Sequence, residues 1–218
     1  MVNDSLTAER GLALGYAPDA AQPGLAALLA LDTTLGGIVR STSQPLVGQM
    51  RLTWWHDALA ALATAPPPAE PVLQGIATHV VPAGVAGTDL AVMIDAWEVL
   101  LDDPSPDDAA IALFGQRRGG VLFAAAATVC GGGDGRIADL GAGWALADLA
   151  AKLRDGAAAA RAGQAAARHL AAGLTGTLPR RLRALGALAV LARADLAGTA
   201  PGSPSRVGRL LLHRLTGR

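Results

Sequence analysis

The sequence predicts an all-α protein built as a bundle of helices. Alanine and leucine dominate the composition, and β-branched residues are sparse and seldom alternate with polar ones. A hydrophobic fraction of 51% against 17% charged residues supplies enough apolar surface for a folded core. We expect one domain over residues 1–218, because the breaks are short and each predicted helix has an apolar face that needs neighbours.

Proline- and glycine-rich breakers divide the chain into eight predicted helices. After the DDPSPDD run at 102–108, Asp107 or Asp108 is expected to cap the next helix. The CGGGDG run at 130–135 is expected to form a turn, because it lacks the spacing of a phosphate-binding loop. The predicted helices cover residues 20–40, 45–64, 70–80, 88–101, 107–129, 136–171, 179–197 and 205–216.

The charge balance and the single cysteine exclude several classes of protein. Eighteen basic residues stand against eighteen acidic ones, so no global charge favours nucleic acid. Cys130 alone forms neither an intrachain disulfide nor a cysteine metal site, which favours a reducing, cytoplasmic setting. The polar start MVNDSLTAERG does not resemble a signal peptide, and the apolar runs are short, so we predict no transmembrane segment.

The C-terminal segment SRVGRLLLHRLTGR has two interpretations. Val207, Leu211 and Leu215 fall in line on a helix with arginines around them. Such a helix lies on a membrane surface, which would place the protein at the inner face of a membrane, or it docks its leucines on the bundle. The spacing favours docking.

The segment RLTWWHDAL at 51–59 is the most distinctive in the chain. Apolar residues recur at helical spacing and predict a stripe in the core, which Trp55 and Leu59 widen. The stripe consists of Val47, Met50, Trp54, Ala58 and Leu62. Arg51 lies one turn before the tryptophans, where its guanidinium can stack on an indole or bind an anion.

A second pair of arginines precedes two glycines. Arg117 and Arg118 are followed by Gly119 and Gly120, which permit a helix or ligand to approach closely. One guanidinium then faces the interior of the bundle; the alternative is two surface arginines beside a close helix contact.

Several of these segments together resemble the squalene/phytoene synthase family. The resemblance covers roughly residues 15–195 and is nearest to the diverged branch similar to mitochondrial complex I assembly factors. It rests on the segments YAPDAAQPGLAALLALD, IVRSTSQPLVGQMRLTWWHDAL, AVMIDAWEVLLDD, FGQRRGGVLFAAAATV and GAGWALADLAAKLRD.

The resemblance implies a shortened isoprenoid-synthase-like bundle in which active members join two prenyl diphosphates head to head. Mg²⁺ there bridges the pyrophosphates to two aspartate-rich motifs, since carboxylates hold hard cations. This sequence has Gly36, Gly37 and Arg40 where the first paired acids are expected. Asp155 matches the first acid of the second motif, but no second acid follows.

The resemblance and the residue pattern together give a set of candidate site residues. Asp148 and Asp155 are seven residues apart and are expected to share a helix face, which leaves a weak divalent pair. We predict no other metal site. The catalytic candidates are Asp95, Asp148 and Asp155, and the pocket candidates are Arg51, Trp54, Trp55, Arg117 and Arg118.

The sequence therefore favours a family member without condensing activity and without a cofactor. It would act as an interaction or assembly module, with a protein partner, or bind an isoprenoid or lipid. The alternative is a Mg²⁺-dependent head-to-head prenyltransferase using the three aspartates.

Overall fold

The structure, a computed structural model, describes residues 2–102 and 105–218. Every regular element within these ranges is helical, so the all-α prediction is confirmed. The α-helices are α1 (Val2–Leu14), α2 (Gln22–Ser41), α3 (Pro45–Ala61), α4 (Pro71–His79), α5 (Gly87–Ala91), α6 (Met93–Asp102), α7 (Asp108–Phe114), α8 (Val121–Val129), α9 (Ile137–Lys152), α10 (Gly156–Gly173), α11 (Arg183–Leu196) and α12 (Pro204–Thr216). A π-helical segment, Gly115–Gly120, joins α7 to α8, and a 3₁₀ turn, Arg180–Leu182, precedes α11.

Local sequence signals explain many of the helix boundaries. Helices α3, α4 and α12 each begin with proline, whose fixed φ suits the first turn. Asp107 caps α7 by accepting a hydrogen bond of 2.8 Å from the Ala110 amide, as predicted. The CGGGDG run follows the end of α8 and contains a turn at Gly131, whose φ is 75°. The prediction of a turn in this run is also confirmed.

Three helix predictions need correction. The segment 136–171 is two helices, because Leu153 is extended and Asp155 caps α10 through the Ala157 amide. The segment 88–101 is likewise split, at Val92. Helix α1 was not predicted, since its sequence has a weak apolar periodicity; its contact with the bundle includes a buried carboxylate, Glu9.

Helix α9 lies at the centre of the bundle and packs against α8, α10, α11 and the π-helical segment. The π-helical segment approaches it closely: a Cβ on Gly119 would overlap the carbonyl of Gly141, and a Cβ on Gly141 would overlap the carbonyl of Gly119. Only glycine permits two backbones to approach this closely. The same contact places Arg118, the neighbour of Gly119, against the core.

The helical stretch Asp19–Ser41 is long and apolar enough to cross a bilayer by length and composition alone. Core helices of globular proteins pass the same test, and Leu25, Leu28, Leu31 and Leu35 of this stretch belong to the buried core.

The predicted core stripe on α3 is wrong at its first three positions. Val47, Met50 and Trp54 are 43%, 65% and 47% exposed. The predicted core positions Trp55, Ala58 and Leu59 are buried. Helices α2, α5 and α6 pack against α3 on the buried side. Periodicity could not choose between the sides, because apolar residues occupy both.

The prediction that the C-terminal helix docks on the bundle through its aligned leucines is wrong as well. Val207, Leu211 and Leu215 are exposed, and α12 docks through Leu210 and Arg206 instead. The buried face is therefore partly polar.

A buried ion-pair group fastens the two ends of the chain together. Arg206 on α12 is 1% exposed and donates to both carboxylate oxygens of Glu9 on α1, at 2.7–3.1 Å. It also pairs with Asp195 on α11. A buried guanidinium with two carboxylate partners fixes orientation, because no apolar contact satisfies its donors.

Candidate functional site

Four helical segments bring polar and aromatic side chains together beside α9. Asp32 comes from α2, Trp97 from α6 and Arg118 from the π-helical segment. Trp144 and Asp148 come from α9 itself, one turn apart. The wider π-helical turn changes the rotational register of side chains along a helix, and such turns are frequent at functional sites.

Arg118 is the buried centre of this arrangement. Its side chain is 4% exposed and binds Asp32 through two parallel hydrogen bonds, Nε to Oδ1 at 2.7 Å and Nη2 to Oδ2 at 2.9 Å. Its Nη1 donates to Oδ2 of Asp148 at 2.7 Å. Lys152, one turn along α9, also lies 2.7 Å from Asp148. We call these four residues the Arg118 cluster: two cations and two carboxylates.

Aromatic rings enclose the guanidinium on several sides. Its central carbon lies 4.6 Å from the ring centroid of Trp97 and 4.8 Å from that of Trp144. Phe114 is 5.3 Å away and meets Trp97 edge to face. The negative faces of aromatic rings attract a cation, and their bulk excludes water from the ion pairs.

The electrostatics hold both partners in their charged forms. Burial by itself lowers the pKa of Arg118, but the charges and hydrogen bonds of Asp32 and Asp148 outweigh it and raise the pKa. Burial by itself raises the pKa of Asp148, but Arg118 and Lys152 lower it to about 2. Both residues therefore stay charged at neutral pH.

A cavity of about 480 Å³ adjoins the Arg118 cluster; we call it the Arg40 cavity. Its wall includes apolar and aromatic side chains, among them Val39 and Leu100. Arg40 and Arg154 also line it and are exposed, and neither pairs with an acid within the described ranges. Gly36 and Trp97 both line the cavity and lie against each other, since a Cβ on Gly36 would be only 2.9 Å from the indole.

A second cavity, of about 650 Å³, is lined by residues that include Glu9, Asp195 and Arg206. Asp148 and Lys152 line both cavities. The ion pair between them is therefore part of the lining of each cavity.

The donor set does not fit the Mg²⁺ that the family resemblance implies. Both oxygens of Asp32 accept hydrogen bonds from Arg118, and Asp148 is held by Arg118 and Lys152. Mg²⁺ requires oxygen ligands that are free to coordinate it. Across residues 2–102 and 105–218, no three acidic, histidine or cysteine side chains are grouped to hold a metal.

The structure brings together Arg118 and Asp148 among the predicted site residues. Arg117 points elsewhere and pairs with Asp95 at 2.8 Å in a partly exposed position. Asp155 does not share a helix face with Asp148, because α9 ends at Lys152 between them.

The three α3 residues among the pocket candidates lie outside this site. Arg51 and Trp54 are exposed on α3, and Trp55 is buried in edge-to-face contact with Trp54. None of them lines the Arg40 cavity.

Sequence reasoning missed Asp32, Trp97, Trp144 and Lys152. Asp32 carried the available signal: it is a lone acid in the apolar run LAALLALDTTL, four residues before Gly36. A charge on the apolar face of a helix requires a buried partner.

Comparison with known proteins gives one match. The model of the squalene/phytoene synthase family matches residues 7–161, more than two thirds of the chain. That span includes all four residues of the Arg118 cluster. Neither a curated protein nor a solved structure matches the chain.

Replacing Arg118 is expected to destabilise the fold strongly. Arg118→Met leaves Asp32 buried without a partner, which costs about 3–5 kcal/mol of unfolding free energy. The control Arg117→Met breaks a partly exposed pair and costs about 1 kcal/mol or less. Urea unfolding followed by circular dichroism measures both, and Asp32→Asn added to Arg118→Met is expected to restore part of the loss. Equal stability of the two single variants would contradict the buried ion pair.

Asp148 is expected to make stability acid-sensitive in a defined window. Its folded pKa of about 2 lies below the ordinary 3.8, so its contribution is present above pH 3.8 and lost as pH falls toward 2. The shift corresponds to about 2 kcal/mol. At neutral pH, the free energy of unfolding of Asp148→Asn should be lower than that of wild type by this amount. When urea unfolding is repeated over a series of pH values, the difference between the two proteins should narrow below pH 4. A difference between variant and wild type that stays constant with pH would refute the assignment.

Proposed function

The chain belongs to the squalene/phytoene synthase family, and we propose that it is a member that does not condense prenyl diphosphates. The Arg118 cluster carries this proposal. Condensation requires carboxylates that hold Mg²⁺ against the leaving pyrophosphate. Here the guanidinium of Arg118 already occupies the carboxylates of Asp32 and Asp148.

The surroundings of Asp32 support the same proposal. The next turn of α2 carries Leu35, Gly36 and Gly37, and the turn after it ends in Arg40. This helix therefore presents one acid, already paired with Arg118, and no second carboxylate in the two turns that follow. Removing Arg118 would expose two carboxylates but would not supply a third.

The exposed side of α3 supports a role as an interaction module. Leu46, Val47, Met50 and Trp54 form an apolar surface on one side of this helix, each between 43% and 68% exposed. We call these four residues the α3 surface. Contiguous apolar patches on a folded protein mark interaction sites, and a surface tryptophan is a frequent anchor of such contacts. The partner we propose is another protein.

The Arg40 cavity favours a second candidate function, the binding of an anionic lipid or isoprenoid without chemistry. Its wall combines apolar side chains with two cations, Arg40 and Arg154, that have no acidic partner within the described ranges. An apolar tail and an anionic head would both find complementary groups there. This binding would need no metal ion, because the arginines supply positive charge.

The first experiment tests condensing activity directly. Purified protein is incubated with farnesyl or geranylgeranyl diphosphate and Mg²⁺ beside an active family member. We expect no pyrophosphate release above the protein-free blank and no coupled hydrocarbon product. Turnover that disappears in Asp148→Ala would overturn the proposal. Binding of the diphosphate without turnover, lost in Arg40→Ser with Arg154→Ser, would favour the lipid-binding function.

The second experiment tests the α3 surface. Leu46→Ser with Met50→Ser should leave the melting temperature within a few degrees of wild type, because both side chains are exposed. The variant is expected to lose proteins that co-purify with wild type. Leu211→Ser with Leu215→Ser, an equally exposed apolar pair on α12, is the matched control and should retain them. Identical co-purification by both variants would exclude the α3 surface as the contact.

A further inference from the structure

A third cavity, of about 410 Å³, lies at the end of the bundle where α1, α11 and α12 meet. We call it the Tyr16 cavity. Four arginines line it, and no acidic side chain does. These arginines are Arg180, Arg181, Arg183 and Arg214. The Tyr16 cavity shares no lining residue with the Arg40 cavity, and its arginines follow the span matched by the family model.

The four guanidinium groups lack the partners that other arginines of this protein have. Arg118, Arg136 and Arg206 each bind at least one carboxylate. Within the described ranges, none of the four arginines of the Tyr16 cavity forms an ion pair with an acid. Like charges gathered in one concavity repel one another, and an anion bound among them removes that cost.

Three of these arginines are held in place by other contacts. Arg183 donates through Nη1 to the carbonyls of Arg214 and Leu215 at the end of α12. The guanidinium of Arg214 lies 5.2 Å from the ring centroid of Tyr16. Arg181 packs over Gly132, where a Cβ would overlap its guanidinium. Guanidinium groups held in advance lose less freedom when they bind a ligand.

Two buried groups at the cavity have no hydrogen-bond partner. Tyr16 is only 9% exposed and its hydroxyl is unpaired, and the Nε of Arg183 is likewise buried and unpaired. An unsatisfied buried donor costs free energy. Neither atom is accessible as it stands, so a bound acceptor oxygen would recover this cost only after a side-chain movement that opens the donor to the cavity.

We propose that Tyr16, Arg180, Arg181, Arg183 and Arg214 form a binding site for a phosphate group. Phosphate offers several acceptor oxygens and more than one negative charge, and arginine binds it through paired, charge-assisted hydrogen bonds. A site with four guanidinium groups suits a phosphomonoester or diphosphate better than a singly charged carboxylate.

The phosphate belongs to a free compound or to a lipid headgroup. Helix α12 carries Arg214 and also exposes Leu211, Leu212 and Leu215, which are 46%, 57% and 78% accessible. A headgroup in the Tyr16 cavity would therefore have apolar side chains of the same helix beside it. The two sources require separate probes.

The test uses the full chain with inorganic pyrophosphate in calorimetry, and with phosphatidylcholine vesicles containing or lacking phosphatidic acid in flotation. Arg180→Ser with Arg214→Ser removes two exposed cations and should leave the fold intact. Arg168→Ser with Arg193→Ser removes the same charge from exposed positions that line neither the Tyr16 cavity nor the Arg40 cavity, and is the matched control. We expect wild type and the control to bind equally, and the site variant to bind at least about tenfold more weakly.

The outcomes separate the sources and the alternatives. Binding of pyrophosphate identifies a free phosphate compound, and binding only to vesicles with phosphatidic acid identifies a lipid headgroup. Wild type that binds neither probe, or a control that loses as much affinity as the site variant, overturns the proposal. So does vesicle binding that survives in the site variant but is lost in Leu211→Ser with Leu215→Ser. Arg40→Ser with Arg154→Ser is measured beside these variants, and binding lost in it but kept in the Tyr16 cavity variant places the probe in the Arg40 cavity, which overturns this proposal without touching the lipid-binding function.

Discussion

The bundle depends on the desolvated guanidinium of Arg118. Three chain segments far apart in sequence meet at this group: α2 through Asp32, the π-helical segment, and α9 through Asp148. A charge removed from water tolerates little displacement, because each lost hydrogen bond leaves an uncompensated group in a low dielectric. The relative positions of the three segments are therefore tied to one side chain, and Trp97 and Trp144 follow because they pack on it.

The glycines of the π-helical segment make this position of Arg118 attainable. Gly119 lets the segment lie against the backbone of α9 at Gly141, and Gly115 accommodates Leu146, which a Cβ would approach to 2.9 Å. A larger residue at either position would push the segment away from α9 and lengthen the bond between Arg118 and Asp148. The buried ion pair between Arg118 and Asp148 therefore depends on the close packing of the two backbones.

The sequence predicted those features that local chemistry determines. Composition predicted the helices, prolines and Asp107 marked several of their boundaries, and five short segments gave the family, which the family model confirms. The bond between Asp32 and Arg118 joins residues 86 positions apart, and no local pattern specifies it. The prediction of which helix face is buried was wrong where apolar residues surround the helix, as on α3. It was also wrong where the docking face carries a charge, as at Arg206 on α12.

The Arg118 cluster also explains how the absence of a metal site that we propose is compatible with a stable core. A set of carboxylates facing one cavity repels itself unless a cation neutralises it, so an interior that loses its metal must lose the acids or gain a fixed positive charge. This chain does both: Gly36 and Gly37 carry no acid, and Arg118 and Lys152 together neutralise Asp32 and Asp148. Positive charge supplied by the chain itself is present at all times, whereas bound Mg²⁺ depends on its concentration. A fixed internal cation therefore suits the non-condensing role that we propose better than it suits a site that must admit and release ions and pyrophosphate.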